Sequence, residues 1–471
     1  MRPALSYLSD ADVEFVHAQT LRVLEQVGVA FNTPEAIDLL AAAGAHVDRD
    51  KLTARLSWPL IEECLKLVPR SVLLDARDPE RAVTVGDGSL LATCDGSGVY
   101  LLDDRSGERR EGTADDTARI LRLYDALPEI DFCWYSLAPM DLDPRTTNVE
   151  VIALCQRNTT KHFMDEVRRP EYAAPIIEIC EAVGGASLKE RPVFSVINCT
   201  VAPLQHDGEM TEAGIRMAHA GAPIMVLPMS QMGTTGPMST LGTAIVTMAE
   251  ILSAVVLFQL AAPGCAFIAG VASAVADMRT GLFLDGAPEM SLINAVCITM
   301  NRFYGLPTLV SAVTSDAKAA DFQCGAEDAF SGLVAALAGA DGYLGCGVLD
   351  GAQTVSPARA VLDCDVLGMI KRFVRGGGFD EAAALIDDII EVGIGGHYLT
   401  RRSTREGRRR GELWEPSIFR RLPFETYAGR TLHDEAIERA EHLMATHEVE
   451  PLPDDVERHV AEVIDRFRAS L

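Results

Sequence analysis

Short apolar runs recur through the middle of the chain, each followed by polar residues and then by a longer stretch with helical spacing. The runs occur at "DFCWYSLAP" (131), "KHFMDEV" (161), "PVFSVINC" (192), "PIMVLPM" (223), "CAFIAGVA" (265), "PTLVSAV" (307) and "GYLGCGV" (342). Helical patterns lie between them at 169–183, 209–220, 240–261, 289–304 and 325–338. Continuously apolar strands alternating with helices imply a parallel sheet covered on both faces. Seven such strands, with an eighth that the pattern does not place, predict an α/β fold of the (β/α)8 barrel class. A doubly wound open sheet is the alternative.

The ends of the chain differ from this rhythm. Ser9 with Asp12 forms a capping box ahead of Val13, Val16, Leu21, Leu24 and Val27, which predicts a helix running to Gly28. A second helix opens at Thr33-Pro34 and stops at Gly44. Glycine and aspartate punctuate residues 80–102, which predicts a small hairpin. Beyond the last strand the pattern predicts helices at 356–375, 379–391, 427–446 and 452–470. The expected organisation is one barrel domain over 1–471, with an N-terminal helical segment (1–80) and a C-terminal helical segment (355–471) packed on it.

The stretch 241–262 is long enough to span a bilayer and carries Glu250 as its one charge. It stands alone within strand–helix alternation and has no Lys or Arg flank, so a buried core helix is expected and no membrane association. Lys and Arg total 42 against 68 Asp and Glu, a formal charge of −26. That field repels nucleic acid and favours cationic ligands. Eleven cysteines form no CxxC pair and sit mostly in apolar runs, as expected of reduced thiols in a cytoplasm.

Common catalytic signatures are absent: there is no GxSxG, HExxH, GxxxxGK[ST], or GxGxxG entering a helix. "MGTTGPMSTLG" has glycines at a helix start but no lysine to hold a phosphate. The histidines, His162 and His206 among them, form no HxH or His/Cys pair, so no bound metal is expected. In a barrel, functional groups belong in the loops after the strands. Those loops offer carboxylates, amides and aromatics: Asp95, Trp134, Tyr135, Asn198, Asp277, Asp316, Gln323 and Tyr343. Aromatic faces beside carboxylates suit a cation, above all a quaternary ammonium, which donates no strong hydrogen bond. Each of these residues also has a plain structural use, as core filler or loop anchor.

Three segments together are more specific. "APIMVLPMSQMGTTGPMSTLGTAIVTMAEILSAVVLFQLAAPGCAFIAG", "ADMRTGLFLDGAPEM" and "SDAKAADFQCGAEDAF" resemble the trimethylamine methyltransferase superfamily of corrinoid-dependent methyltransferases. "LRVLEQVGVAFNTPEAIDLLAAAGAHVD" and "HYLTRRSTREGRRRGELWEP" are similar to its terminal segments, with Arg-Arg-Ser-Thr in place of a His-rich version. The resemblance implies a barrel that moves a methyl group from a methylated amine to the cob(I)alamin of a separate corrinoid protein, in a homo-oligomer. Founding members carry pyrrolysine in the barrel mouth; this chain uses only the standard residues and so resembles the branch that includes glycine betaine methyltransferases. On that reading Asp316, Gln323 and Asn198 are the candidate catalytic residues, and Trp134, Tyr135, Asp95 and Tyr343 bind the quaternary amine. The rival expectations are a barrel lyase or isomerase of small acids, with Lys318 or Lys161 as its amine, and a non-catalytic quaternary-amine binding protein.

Overall fold

The computed structural model describes residues 3–96, 98–427 and 429–471. Its centre is an eight-stranded parallel sheet: β1 (Leu91–Cys94), β2 (Cys133–Trp134), β3 (Phe163–Glu166), β4 (Phe194–Cys199), β5 (Ile224–Leu227), β6 (Phe267–Val271), β7 (Thr308–Ser311) and β8 (Gly342–Cys346). Each strand is followed by a helix: α1 (Ala114–Ala126), α2 (Thr147–Asn158), α3 (Pro170–Gly184), α4 (Gly208–Ala220), α5 (Thr240–Ala261), α6 (Pro288–Tyr304), α7 (Phe322–Ala338) and α8 (Pro357–Arg375). The fold is a (β/α)8 barrel.

The strand that the pattern did not place is β1. It pairs in parallel with β8, Tyr343 opposite Ala92, across 251 residues of chain. Its other edge meets β2, where the Asp131 amide donates to the Ala92 carbonyl at 2.8 Å and closes the ring. The hairpin expected at 80–102 is therefore not there. Val83–Val85 pairs backwards with Val72–Leu74, and Tyr100–Leu102 pairs forwards with Arg109–Glu111. Glycine and aspartate between these pieces mark the ends of a buried barrel strand, not one tight turn.

Register in β8 slips at Gly345. A Cβ there would stand 2.4 Å from the Ala312 carbonyl oxygen, so only glycine lets β7 and β8 come this close at the mouth. Helix α5, the apolar stretch noted above, packs against α6 and the N-terminal helices Asp10–Gln26 and Trp58–Leu67, and most of its residues are buried. The Ser9–Asp12 capping box forms in both directions.

Residues 29–55 add a three-stranded antiparallel sheet to the N-terminal helices. The helix expected at 379–391 breaks at Leu385 (φ 51°) into Glu381–Ala384 and Ile386–Val392. Helices Leu432–Thr446 and Asp454–Ala469 then return to pack on α8 and α3 respectively. Two small sheets rise from the loops after the strands: Gln231–Met232 with Ala274–Ala276 and Phe283–Leu284, and Tyr100–Leu102 with Arg109–Glu111, Val348–Leu349 and Thr354–Val355. They build up the wall of the mouth.

Candidate active site

Three carboxylates converge at the mouth. Asp95 follows β1 and is 8% exposed; one of its oxygens accepts the Gly96 amide at 2.8 Å and the other, Oδ2, has no hydrogen-bond partner. Burial pushes its carboxyl up to about 6, against the opposing pull of the Gly96 amide and the Arg359 charge. Asp285, from the loop after β6, is 2% exposed. Burial first, then the negative charges of Asp95 and Asp316, raise it well above the carboxylate range, although Ser311 Oγ donates to it at 3.2 Å. The third, Asp316, accepts the backbone amides of Asp285 (2.8 Å) and Gly286 (3.1 Å), one on each oxygen. Three like charges in one desolvated place are costly unless protons or a cation relieve them.

An aromatic wall flanks this acidic floor. Trp134, at the end of β2, lies so flat on Gly96 that a Cβ there would fall 2.1 Å from a ring atom. Its Nε1 donates to Asp165 at 3.3 Å. Beyond it the Tyr135 hydroxyl accepts from Arg168 Nη2 at 3.1 Å, and Arg168 Nε donates to Glu166 at 3.0 Å. Cys199 Sγ, at the end of β4, donates to the other oxygen of Glu166 at 3.3 Å. An indole face beside buried carboxylates is a place for a cation that needs no hydrogen bond.

Behind the floor stands a buried frame. Arg359, fully buried on α8, donates to Asp328 (2.7 Å) and to the Val313 carbonyl (3.0 Å), and pairs with Asp363 at 3.3 Å. Asp363 in turn accepts the Gly347 amide at 2.8 Å. Val313 has φ 58°, a left-handed conformation costly for a β-branched residue. Ser331 Oγ on its amide and Arg359 on its carbonyl hold it there. This bend turns the chain from β7 into the segment that carries Asp316.

Of the residues expected at the site, the structure brings together Asp95, Trp134, Tyr135 and Asp316. Asp316 acts on backbone amides as a clamp between two loops. Gln323 sits in the first turn of α7 with its amide on Glu327 at 2.9 Å, exposed. Asn198 turns away from the barrel lumen and donates to the Met210 carbonyl of α4 at 2.8 Å. The Tyr343 hydroxyl likewise donates outward, to Gly332 of α7 at 2.7 Å. Asp277 closes its own turn by accepting the Arg279 amide at 2.8 Å. Lys161 lies before β3, at the opposite end of the barrel, with its ammonium on the Tyr124 and Leu127 carbonyls. Lys318 pairs with Asp350. His162 and His206 are buried, on Ser195 and Ser253 respectively. Among the described residues no group of three or more His, Cys, Asp or Glu could hold a metal ion.

Pattern reasoning did not single out Asp285, Asp165, Arg168 or Arg359. The first three lie in or just before loops that follow strands, and that position was their one available signal. Two clefts of about 380 and 460 Å3 lie away from the mouth. The first lies between Arg109–Glu111, α1 and Leu432–Thr446, and the second at the base around Arg70 and Arg302.

The model of the family described as trimethylamine methyltransferase (MTTB) matches residues 1–471. The chain belongs to the trimethylamine methyltransferase family. It is 28% identical to trimethylamine methyltransferase MttB of Desulfitobacterium hafniense, over 98% of this chain and 94% of the relative. It is 29% identical to a glycine betaine methyltransferase of the same species, over 91% of this chain and 90% of that one. Among solved structures, the monomethylamine methyltransferase of Methanosarcina barkeri superimposes with a TM-score of 0.55 at 13% identity, over 93% of this chain and 88% of that one. That likeness concerns the fold. As a member of the trimethylamine methyltransferase family the protein is a methyltransferase.

Proposed function

We propose that this enzyme takes its methyl group from a quaternary ammonium compound, with glycine betaine as the type donor, and passes it to a corrin carried on a separate protein. The observation that carries the reading is Asp95 Oδ2: a carboxylate oxygen more than nine-tenths buried, without a partner, next to Gly96, on which the Trp134 ring lies. A quaternary nitrogen would fill that place, relieving the carboxylates while needing no hydrogen-bond acceptor. Its leaving group is a neutral tertiary amine, so the mouth needs no general acid. Trimethylamine would have to be protonated first.

The corrin, when bound, supplies the Co(I) nucleophile that accepts the methyl carbon. The residues of this chain do the rest. Asp95 and Asp285 strip water from the cation and hold its charge, Trp134 fixes the face it presents, and the loop clamp of Asp316 keeps the floor in place. The rim suits a broad, partly apolar visitor. Val201, Met229, Met238, Met278 and Leu282, from loops after β4 to β6, and Phe322, at the start of α7, are exposed there, and methionine adapts readily to an incoming surface. The eleven unpaired cysteines support a reducing cytoplasm as the setting. Exposed Phe379, Ile390, Ile394 and Leu399 support self-association.

The test is methylation of cob(I)alamin in the presence of glycine betaine, tetramethylammonium, choline or trimethylamine. Turnover of at least one quaternary donor, well above that of trimethylamine, is expected. Equal or faster turnover of trimethylamine would overturn the reading.

A further inference from the structure

The mouth carries both signs of charge. Its floor holds Asp95, Asp285 and Asp316, whereas the loop after β3 carries a guanidinium, that of Arg168, on the hydroxyl of Tyr135, the residue next to Trp134. Arg168 is fixed from three sides: its own amide donates to Asn148 Oδ1 at 3.1 Å, Nε to Glu166 at 3.0 Å, and Nη2 to the Tyr135 hydroxyl at 3.1 Å. Its side chain is nevertheless 47% exposed, and two of its five N–H groups account for these side-chain bonds. The remaining donors form a planar edge, the shape that grips a carboxylate by two parallel hydrogen bonds.

The neighbouring acids leave that edge available. Glu166 is already held by the Cys199 thiol and Arg168 Nε. Asp165 is buried and accepts from Trp134 Nε1, and burial and the charge of Glu166 raise it well above the carboxylate range. Tyr135 and Trp134 are consecutive, so the rigid end of β2 sets the spacing between the two poles.

We infer that Arg168 reads the carboxylate of a zwitterionic donor, so that the enzyme selects betaines, N-methylated amino acids with a permanent positive nitrogen, over simple quaternary amines. This rests on the quaternary-donor reading above and adds the choice within that class. An anion entering a mouth lined by carboxylates is repelled unless a cation meets it. Arg168 supplies that cation at one end while the acidic floor takes the nitrogen at the other. Choline and tetramethylammonium satisfy the floor alone.

The experiment measures binding by calorimetry with no corrin present, and turnover separately, for glycine betaine and tetramethylammonium. Wild type is expected to bind glycine betaine more tightly. Arg168→Gln should weaken glycine betaine by about 30-fold, seen chiefly in KM, and by at least tenfold more than it weakens tetramethylammonium. Arg168→Lys keeps the charge and loses the fork, and should recover part of the discrimination. Equal losses for both donors would mean that Arg168 only props up the loop, and the inference falls. It falls as well if wild type binds tetramethylammonium as tightly as glycine betaine, although the quaternary-donor reading then survives. Binding of neither by wild type overturns the inference, and the donor panel above then decides the quaternary-donor reading.

Discussion

Arg359 Nη2 lies 2.7 Å from Asp328 Oδ1, with both side chains shut away from solvent. The pair joins α8 to α7 and, through the Val313 carbonyl, fixes the bend from which the Asp316 segment hangs. A buried ion pair contributes little net stability while intact, but removing one partner strands the other. Arg359→Leu leaves Asp328 and Asp363 without their cation and the Val313 carbonyl without its donor. Chemical denaturation should show a loss of about 3–5 kcal/mol. A loss below about 1 kcal/mol would mean that the mouth does not depend on this frame.

Asp95 and Asp316 should respond in opposite directions. Because the folded state raises Asp95 to about 6, its ionised form costs stability: the cost is absent below the unfolded value of 3.8, grows between the two, and is complete above 6. Asp95→Asn should therefore stabilise the protein at pH 8 by about 1–3 kcal/mol while methyl transfer falls about 30- to 1,000-fold. Asp316→Ala removes the acceptors of two backbone amides and should destabilise by about 2–3 kcal/mol. Thermal melts and cob(I)alamin methylation on both variants decide the matter, and a destabilised Asp95→Asn would refute the assignment of an uncompensated carboxylate.

Donor binding should follow the same ionisation. Below about pH 6 Asp95 holds a proton that a bound cation must displace, so affinity rises with pH towards 6 and levels off above it. Calorimetric titrations from pH 5 to pH 8 should show this rise in wild type and its absence in Asp95→Asn. A flat wild-type profile would remove Asp95 from the cation's immediate surroundings.

Glu250 makes a separate prediction. Fully buried on α5, it accepts the Leu204 amide at 2.8 Å and the Thr200 hydroxyl, tying down the loop after β4. Burial pushes it up from 4.5 to about 7. Its ionised form thus costs stability progressively between pH 4.5 and 7. Glu250→Gln keeps the shape and removes the charge, so its melting temperature relative to wild type should climb across that window, by an amount equivalent to roughly 2–3 kcal/mol. A constant difference from pH 4.5 to pH 8 would show that Glu250 is not strained by burial.

The strands β2 to β8 were legible because each is a short apolar run followed by a long helix-spaced one, a contrast that does not depend on distant contacts. β1 was not, since "LATC" is four residues long, is bounded by glycine and aspartate on both sides, and finds its partners across the whole chain. Site residues divide in the same way. Asp95, Trp134 and Tyr135 were readable as polar or aromatic groups ending strands. Asn198 met the same criterion and Tyr343 offered an aromatic near the start of a strand, but side chains alternate along a strand, and these two point to the helical layer. Arg359 gave no signal at all, because a helix position reveals neither its depth nor the acids waiting on the next helix.

The pairing of β1 with β8 also governs when the enzyme can begin to exist. Asp95 emerges early from the ribosome, but the strand beneath it gains its second neighbour only when residues 342–346 have been made. Loop-closure entropy makes so distant a pairing a late event. Nascent or truncated chains ending before β8 have an open sheet edge and no assembled mouth. Donor binding is therefore a reporter of completed folding, and a donor present during synthesis would favour only chains whose ring has already closed.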